Sequence, residues 1–309
     1  MTPALPEIQR TREKPGPGPV PAGLLRALDL RIARRTVGLV DGEHRATRLG
    51  RGSELAQVRP YADGDDVRRI DWNATARQNE LHVRVDVAER AVSTWLVLDV
   101  SPSMGFGTGQ RRKADVVEGV ALSLAHLTSR RGNRVGALTF GASSSVMVPQ
   151  RQGRRGLLGA LLAARQEPET EQVGATSLGA ALDRASAVAR QRGVVFVVSD
   201  FLGPRYWRTP LLRLAARHEV TAIEIRDRRE HELPDVGHLW LVDPETGRRI
   251  QVDTRRAKTR TAFAAAAEAD RAEIARVLAS LGISHCTLST DDDWLRTLAG
   301  FLSRKRRRR

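Results

Sequence analysis

Three observations predict an α/β chain with a doubly wound, mostly parallel sheet of Rossmann type. From Val92 onward, short apolar runs alternate with amphipathic stretches of helical period. Two of those runs, 94–100 and 194–199, are almost continuously apolar, as strands covered on both faces must be. Each also delivers an acid, Asp99 or Asp200, to its carboxyl end, where open α/β sheets hold their ligands.

The elements follow in order. Residues 1–22 centre on Pro15-Gly16-Pro17-Gly18-Pro19, a composition expected to form a disordered tail. Leu24, Leu28 and Ile32 predict a short amphipathic helix over 23–35. It opens a strand- and turn-rich block over 23–90 that is expected to pack on the sheet domain. In this block acids and arginines interleave around Arg59, Tyr61, Asp65, Arg68, Trp72 and Arg77, which reads as an ion-paired plug over a small aromatic anchor. Asp65 is expected to cap a helix. The alternation Leu81, Val83, Val85, Val87 predicts a strand with one buried face.

The sheet domain is expected over 91–303. A helix over 112–131 ends at Gly132-Asn133, and strands follow at 134–140 and 145–149. Helices are predicted over 155–166, 178–191 and 207–218, with strands at 194–199, 220–225 and 237–242. After the turn Pro244-Glu245-Thr246-Gly247 come a strand at 248–253, a long helix over 259–281 and a strand at 283–288. Asp291 to Asp293 then suit the start of a last helix, where carboxylates complement the helix dipole. A polybasic tail closes the chain at 304–309.

Composition bounds the function. There is a single cysteine, Cys286, so neither an internal disulfide nor a thiolate-built metal site is available, which fits a reducing, cytoplasmic setting. No run approaches the roughly 18–20 apolar residues of a membrane span, and no signal-peptide core opens the chain. The formal net charge of +15 favours acidic partners or anionic surfaces, and its plainest reading is an arginine-rich solvated surface. Nucleic-acid or anionic-surface binding is the rival reading. It is weakened by an aromatic content of 4%, which leaves few stacking platforms.

The chemistry concentrates at Asp99-Val100-Ser101-Pro102-Ser103. Thr176 lies in the loop Gly174-Ala175-Thr176 before a helix, and Asp200 ends a later strand. If the two acid-bearing strands are neighbours, two carboxylates and three hydroxyls meet at one sheet edge. An all-oxygen set of this kind suits a hard cation such as Mg²⁺, or Mn²⁺ in its place. A capped strand-to-helix turn is the plainer reading of the serines. The glycines at 105–109 lack the Gly-Lys-Ser/Thr of a phosphate-binding loop, and there is no Gly-x-Ser-x-Gly elbow. A Mg²⁺-dependent phosphoester hydrolase would need a nucleophile or base that the cup does not offer, so a non-enzymatic role is expected.

Asp-x-Ser-x-Ser, the Gly-x-Thr loop and the strand-ending Asp resemble the metal-ion-dependent adhesion site of von Willebrand factor A domains. That resemblance implies a von Willebrand A-like fold and a metal held by Asp99, Ser101, Ser103, Thr176 and Asp200, the aspartates acting mostly through water. It leaves an open position for a partner's acid. Gly50 to Glu54, Arg59-Pro60-Tyr61, Gly64-Asp65-Asp66, Ile70-Asp71-Trp72 to Arg77, and Val252-Asp253-Thr254 resemble the bacterial family called domain of unknown function 58. Phe201 stands where adhesion domains usually carry glycine. The family resemblance implies an adaptor working with a MoxR-type AAA+ ATPase to assemble or mature a client protein, the client contributing an acidic residue to the metal.

Overall fold

The protein is described from a computed structural model, which covers residues 16–18, 54–87, 92–128, 133–141, 145–164 and 177–304. The helix expected over 23–35, the loop holding Thr176 and the polybasic residues from 305 on lie outside the described residues. The chain divides into two compact units, 34–91 and a larger one formed by 1–33 with 92–309.

In the smaller unit, β1 (Glu54–Pro60) pairs antiparallel with β2 (His82–Val87), and a single-turn 3-10 segment (Val67–Arg69) and α1 (Trp72–Gln78) lie between them. The caps differ from expectation. Asp66 caps the 3-10 turn and Asp71 caps α1, accepting from the amides of Asn73 and Ala74. Asp65 instead takes a two-pronged contact from Arg59 at 2.6 and 2.7 Å. Asp71 also accepts from Arg84 at 2.8 Å, so one carboxylate serves both a helix end and a strand. Of the two aromatic residues expected as the anchor, Tyr61 is half-buried and Trp72 is exposed. Trp72 is 68% exposed, because it is the first residue of α1 and projects from the capped turn. In β2 both His82 and Val83 are buried and Leu81 is exposed, so the one-faced alternation does not hold there.

The larger unit carries a six-stranded sheet in the order β10-β7-β6-β3-β4-β5. Its strands are β3 (Ser93–Asp99), β4 (Arg134–Phe140), β5 (Met147–Gln152), β6 (Gly193–Ser199), β7 (Glu219–Arg226) and β10 (Ser284–Ser289). All neighbours are parallel except β5, which runs antiparallel along the edge. The doubly wound α/β class expected from the sequence is the observed one.

Every residue of β3 is buried, and its side chains alternate between two cores. Leu96 and Leu98 face α2 (Lys113–Thr128), α3 (Gly153–Ala164) and α7 (Trp294–Arg304). Trp95 and Val97 face α4 (Leu178–Val188), α5 (Arg208–Ala215) and the C-terminal half of α6 (Ala257–Ser280). Each fully buried Leu or Val contributes about 1.5–3 kcal/mol, so a strand buried on both faces anchors the loop that follows it. Part of the proline-glycine segment joins this unit: the Pro17 carbonyl accepts from the indole Nε1 of buried Trp294 at 3.0 Å.

One expected sheet strand belongs elsewhere. β8 (His238–Val242) and β9 (Arg249–Asp253) form a separate antiparallel hairpin, with no ladder to the main sheet. The tight turn at 244–247 explains this, since a parallel neighbour requires a crossover of a dozen or more residues. Among the described residues no helix is long and apolar enough to cross a membrane.

Candidate metal centre

The chain leaves β3 toward α2 on one face and leaves β6 toward α5 on the other. The crevice between these two strands is therefore the topological switch point of the sheet. β3 and β6 are direct neighbours in register, Leu98 opposite Val198, so Asp99 and Asp200 emerge side by side. Asp99, Ser101, Ser103 and Asp200 are all buried at this one edge, as the sequence predicts. Thr176 lies outside the described residues.

The turn after β3 is held by its own hydroxyls. Asp99 Oδ1 accepts from the Ser101 amide at 3.0 Å, and its Oδ2 accepts from Ser199 Oγ at 2.5 Å. Ser101 Oγ and Ser103 Oγ stand 3.0 Å apart. Ser101 precedes a 3-10 turn over Pro102–Gly105, which Pro102 starts and which directs both serines to the same side. Gly141, at the end of β4, lets this turn come close. A Cβ there would lie 2.5 Å from Ser101 Cβ, and its φ of +91° is one that side-chain-bearing residues rarely adopt.

Across the crevice, Phe201 holds a left-handed φ of +55° in the place where adhesion domains usually carry glycine. Such a conformation is costly for a bulky residue. Here it is offset by complete burial of the ring and an edge-on contact with Trp207 at 5.6 Å. This geometry explains how phenylalanine is accommodated at this position.

Several residues that complete the site were not singled out in the sequence. Lys113, fully buried at the start of α2, donates to Asp200 Oδ2 at 2.7 Å and to Glu230 Oε1 at 2.5 Å. Arg271 approaches the other oxygen of Glu230 at 3.8 Å. Glu245, at the tip of the β8–β9 hairpin, accepts from the Ser103 amide at 3.1 Å. One signal was available: Lys113 is one of four lysines in a chain with 51 basic residues. Its ammonium is a compact point charge with three donors, two of which are used here on separate carboxylates.

The two strand-end acids differ electrostatically. Burial, and then the negative charge of Asp200, push Asp99 up to about 7. Burial would raise Asp200 too, but the Lys113 ammonium and hydrogen bonds from Leu202 and Ser103 outweigh it and hold Asp200 below its ordinary value. The linked groups are the carboxylates Asp99, Asp200, Glu230 and Glu245 against the cations Lys113 and Arg271.

Hard divalent cations meet this donor set well. Octahedral Mg²⁺ with bonds of about 2.0–2.1 Å places adjacent ligand oxygens about 2.9 Å apart, close to the observed Ser101–Ser103 separation of 3.0 Å. Among the described residues no group of three or more His, Cys, Asp and Glu side chains is arranged to hold a metal. A cation here therefore depends on the hydroxyls.

The chain resembles several known proteins. An uncharacterised protein of Mycobacterium tuberculosis is 40% identical over 288 residues, covering 93% of this chain and 90% of its own. One from Mycobacterium avium is 41% identical over 162 residues, 52% of this chain and 94% of its own. Among solved structures, the conserved hypothetical protein BatB from Bacteroides thetaiotaomicron matches with a TM-score of 0.47 at 15% identity, over 70% of this chain and all of that one. The SpRpn10 VWA domain matches with a TM-score of 0.38 at 15% identity, over 68% and 94%. Residues 57–273 match the family described as Protein of unknown function DUF58. With that match over most of its length, and with relatives 40% identical over 93% of it, the chain belongs to the DUF58 family.

Proposed function

We propose that the edge between β3 and β6 is a Mg²⁺-dependent protein-binding face and that the protein is a non-enzymatic adaptor. The observation that carries this reading is the 3.0 Å spacing of two buried hydroxyl oxygens beside the buried carboxylates Asp99 and Asp200 at adjacent strand ends. Ser101 and Ser103 would hold the ion directly with Thr176, and Asp99 and Asp200 would hold it mainly through water. Bound there, Mg²⁺ or Mn²⁺ would supply a Lewis-acidic position that attracts an external carboxylate. The residues of this chain exclude bulk water from the turn and fix its hydroxyls.

The reading extends to a partner by family resemblance: a MoxR-type AAA+ ATPase that supplies mechanical work while this chain engages an acidic residue of a client. The net charge of +15 favours acidic partners, so complex formation should weaken as salt is raised. Calorimetric titration with Mg²⁺ and Mn²⁺ tests the metal. The wild-type chain is expected to bind and Asp99→Ala to lose binding; indistinguishable curves overturn the reading. Steady turnover of a phosphoester, abolished in Asp200→Ala, would replace the adaptor with an enzyme.

A further inference from the structure

We infer that Glu245 is the chain's own acidic ligand for this centre, so that the β8–β9 hairpin fills from within the position a partner's carboxylate would take. The inference rests on the metal reading above and concerns a residue that reading does not include.

The hairpin tip is built to aim this one side chain. Asp243, Pro244, Thr246 and Gly247 are exposed, whereas Glu245 is half-buried. Asp243 organises the turn, accepting from the Glu245 amide at 2.9 Å and from Thr246 Oγ1 at 2.5 Å. The turn then closes through Gly247, whose amide donates to the Asp243 carbonyl at 2.8 Å and whose φ is +69°. From this tip Glu245 reaches a residue 142 positions away in sequence and receives the Ser103 amide at 3.1 Å.

Its second oxygen carries the argument. Glu245 Oε2 is buried and has no hydrogen-bond partner among the described residues. A buried carboxylate oxygen without a donor is costly, and a cation is the ordinary remedy. If Glu245 merely capped the turn after β3, one oxygen would suffice and the other could turn to solvent. The seat is the turn that carries Ser101 and Ser103, whose hydroxyls stand 3.0 Å apart.

The mounting suits a displaceable arm. The hairpin shares no ladder with the main sheet. At its base Thr254 donates through both its amide and its hydroxyl to the Gly237 carbonyl at 2.7 Å, and Gly237 has a φ of +88°. The two ends of the hairpin are thus clasped to each other, and Glu245 joins its tip to the turn after β3. A partner's acid must displace that tip to reach the ion.

The test uses the full chain with Mn²⁺ as the probe, comparing wild type, Glu245→Gln, Glu245→Asp and Asp99→Asn. Free Mn²⁺ is followed by electron paramagnetic resonance, and bound water by proton relaxation. Gln can still accept from the Ser103 amide, so it preserves a cap and removes only the charged ligand. Glu245→Gln is expected to bind Mn²⁺ about tenfold or more weakly and to show one additional exchangeable water. Glu245→Asp, too short by one methylene, should do likewise although its charge is kept. Acetate should remove that water in Glu245→Gln at concentrations that leave wild type unchanged. If wild type binds Mn²⁺, Asp99→Asn does not, and both Glu245 variants match wild type in affinity and water count, the inference is overturned and the metal centre stands. If wild type binds no Mn²⁺, the metal centre itself is overturned and this inference with it.

Discussion

Three adjacent parallel strands, β3, β6 and β7, each hand the chain to an aspartate, yet the three ends are finished differently. Asp227, after β7, is fully buried and saturated. It accepts from the amide and hydroxyl of Thr108 at 2.9 and 2.6 Å, from Thr290 Oγ1 at 2.7 Å and from the Arg229 amide at 2.9 Å. Glu230 completes a reciprocal capping box with it. Although burial works against its charge, these donors, Thr108 foremost, hold Asp227 below the ordinary carboxylate range. At the neighbouring ends, Asp99 is raised, Asp200 is held down by the Lys113 ammonium with hydrogen bonds from Leu202 and Ser103, and Glu245 has an oxygen with no hydrogen-bond partner among the described residues. Position on the sheet does not distinguish these ends; the donors that surround each carboxylate do. One end is a structural clasp and the other is a socket.

The largest effect should come from Lys113, which serves both regions because it joins Asp200 to the Glu230 that boxes Asp227. Lys113→Met leaves buried Asp200 without its cation and half-buried Glu230 with only the more distant Arg271. It is expected to cost about 3–5 kcal/mol in urea unfolding. A cost near zero would mean that the two ends are independent. Asp227→Ala should follow, at about 3 kcal/mol, because it strands several buried donors. It should leave the stabilisation by Mg²⁺ intact, whereas a lost response would erase the distinction between clasp and socket.

Asp99→Asn should show the opposite pattern. Its metal-free stability should stay within about 1 kcal/mol of wild type, since it removes a repelled charge. It should forfeit the gain from Mg²⁺, which for wild type is about 2.7 kcal/mol at a hundred times the dissociation constant. The pH dependence sharpens the contrast. Asp99 has its folded pKa raised, so between its ordinary value of 3.8 and about 7 the native chain binds more protons than the unfolded one. In EDTA, this group's contribution should fall as pH rises through that window, and Asp99→Asn should flatten the slope. Asp227 is lowered, so its contribution is present above 3.8 and is lost as pH falls below that value. The smallest effect expected is on the thiol. Burial pushes Cys286 up to about 12, so alkylation of the native chain should be slow and should track unfolding in each of these variants.

The fold was legible because its signals are local. Continuous apolar runs gave β3 and β6, and Gly282, with its φ of +68°, marked the end of α6. The central pair Asp99 and Asp200, with Ser101 and Ser103, was legible for the same reason: each sits at a strand end or in the turn after it. What escaped came from a distance. Lys113 and Glu230 meet across 117 positions and Glu245 meets Ser103 across 142, and no periodicity encodes such meetings. Gly141 looked like any residue after a strand until Ser101 was found against it. Both strands of the hairpin are legible in the sequence, but nothing local in them says that they pair with each other and not with the main sheet. Trp72 was read as an anchor because an aromatic residue among charges resembles one, yet its place at the first turn of a capped helix turns it outward.

The central claim is that a divalent cation sits between the serine hydroxyls at the end of β3. Anomalous diffraction from crystals of the wild-type chain grown with Mn²⁺ addresses it most directly. The account predicts a single strong peak within coordination distance of both Ser101 Oγ and Ser103 Oγ, absent from Asp99→Asn crystals. Well-ordered density for this turn with no anomalous peak there, at saturating Mn²⁺, would contradict it.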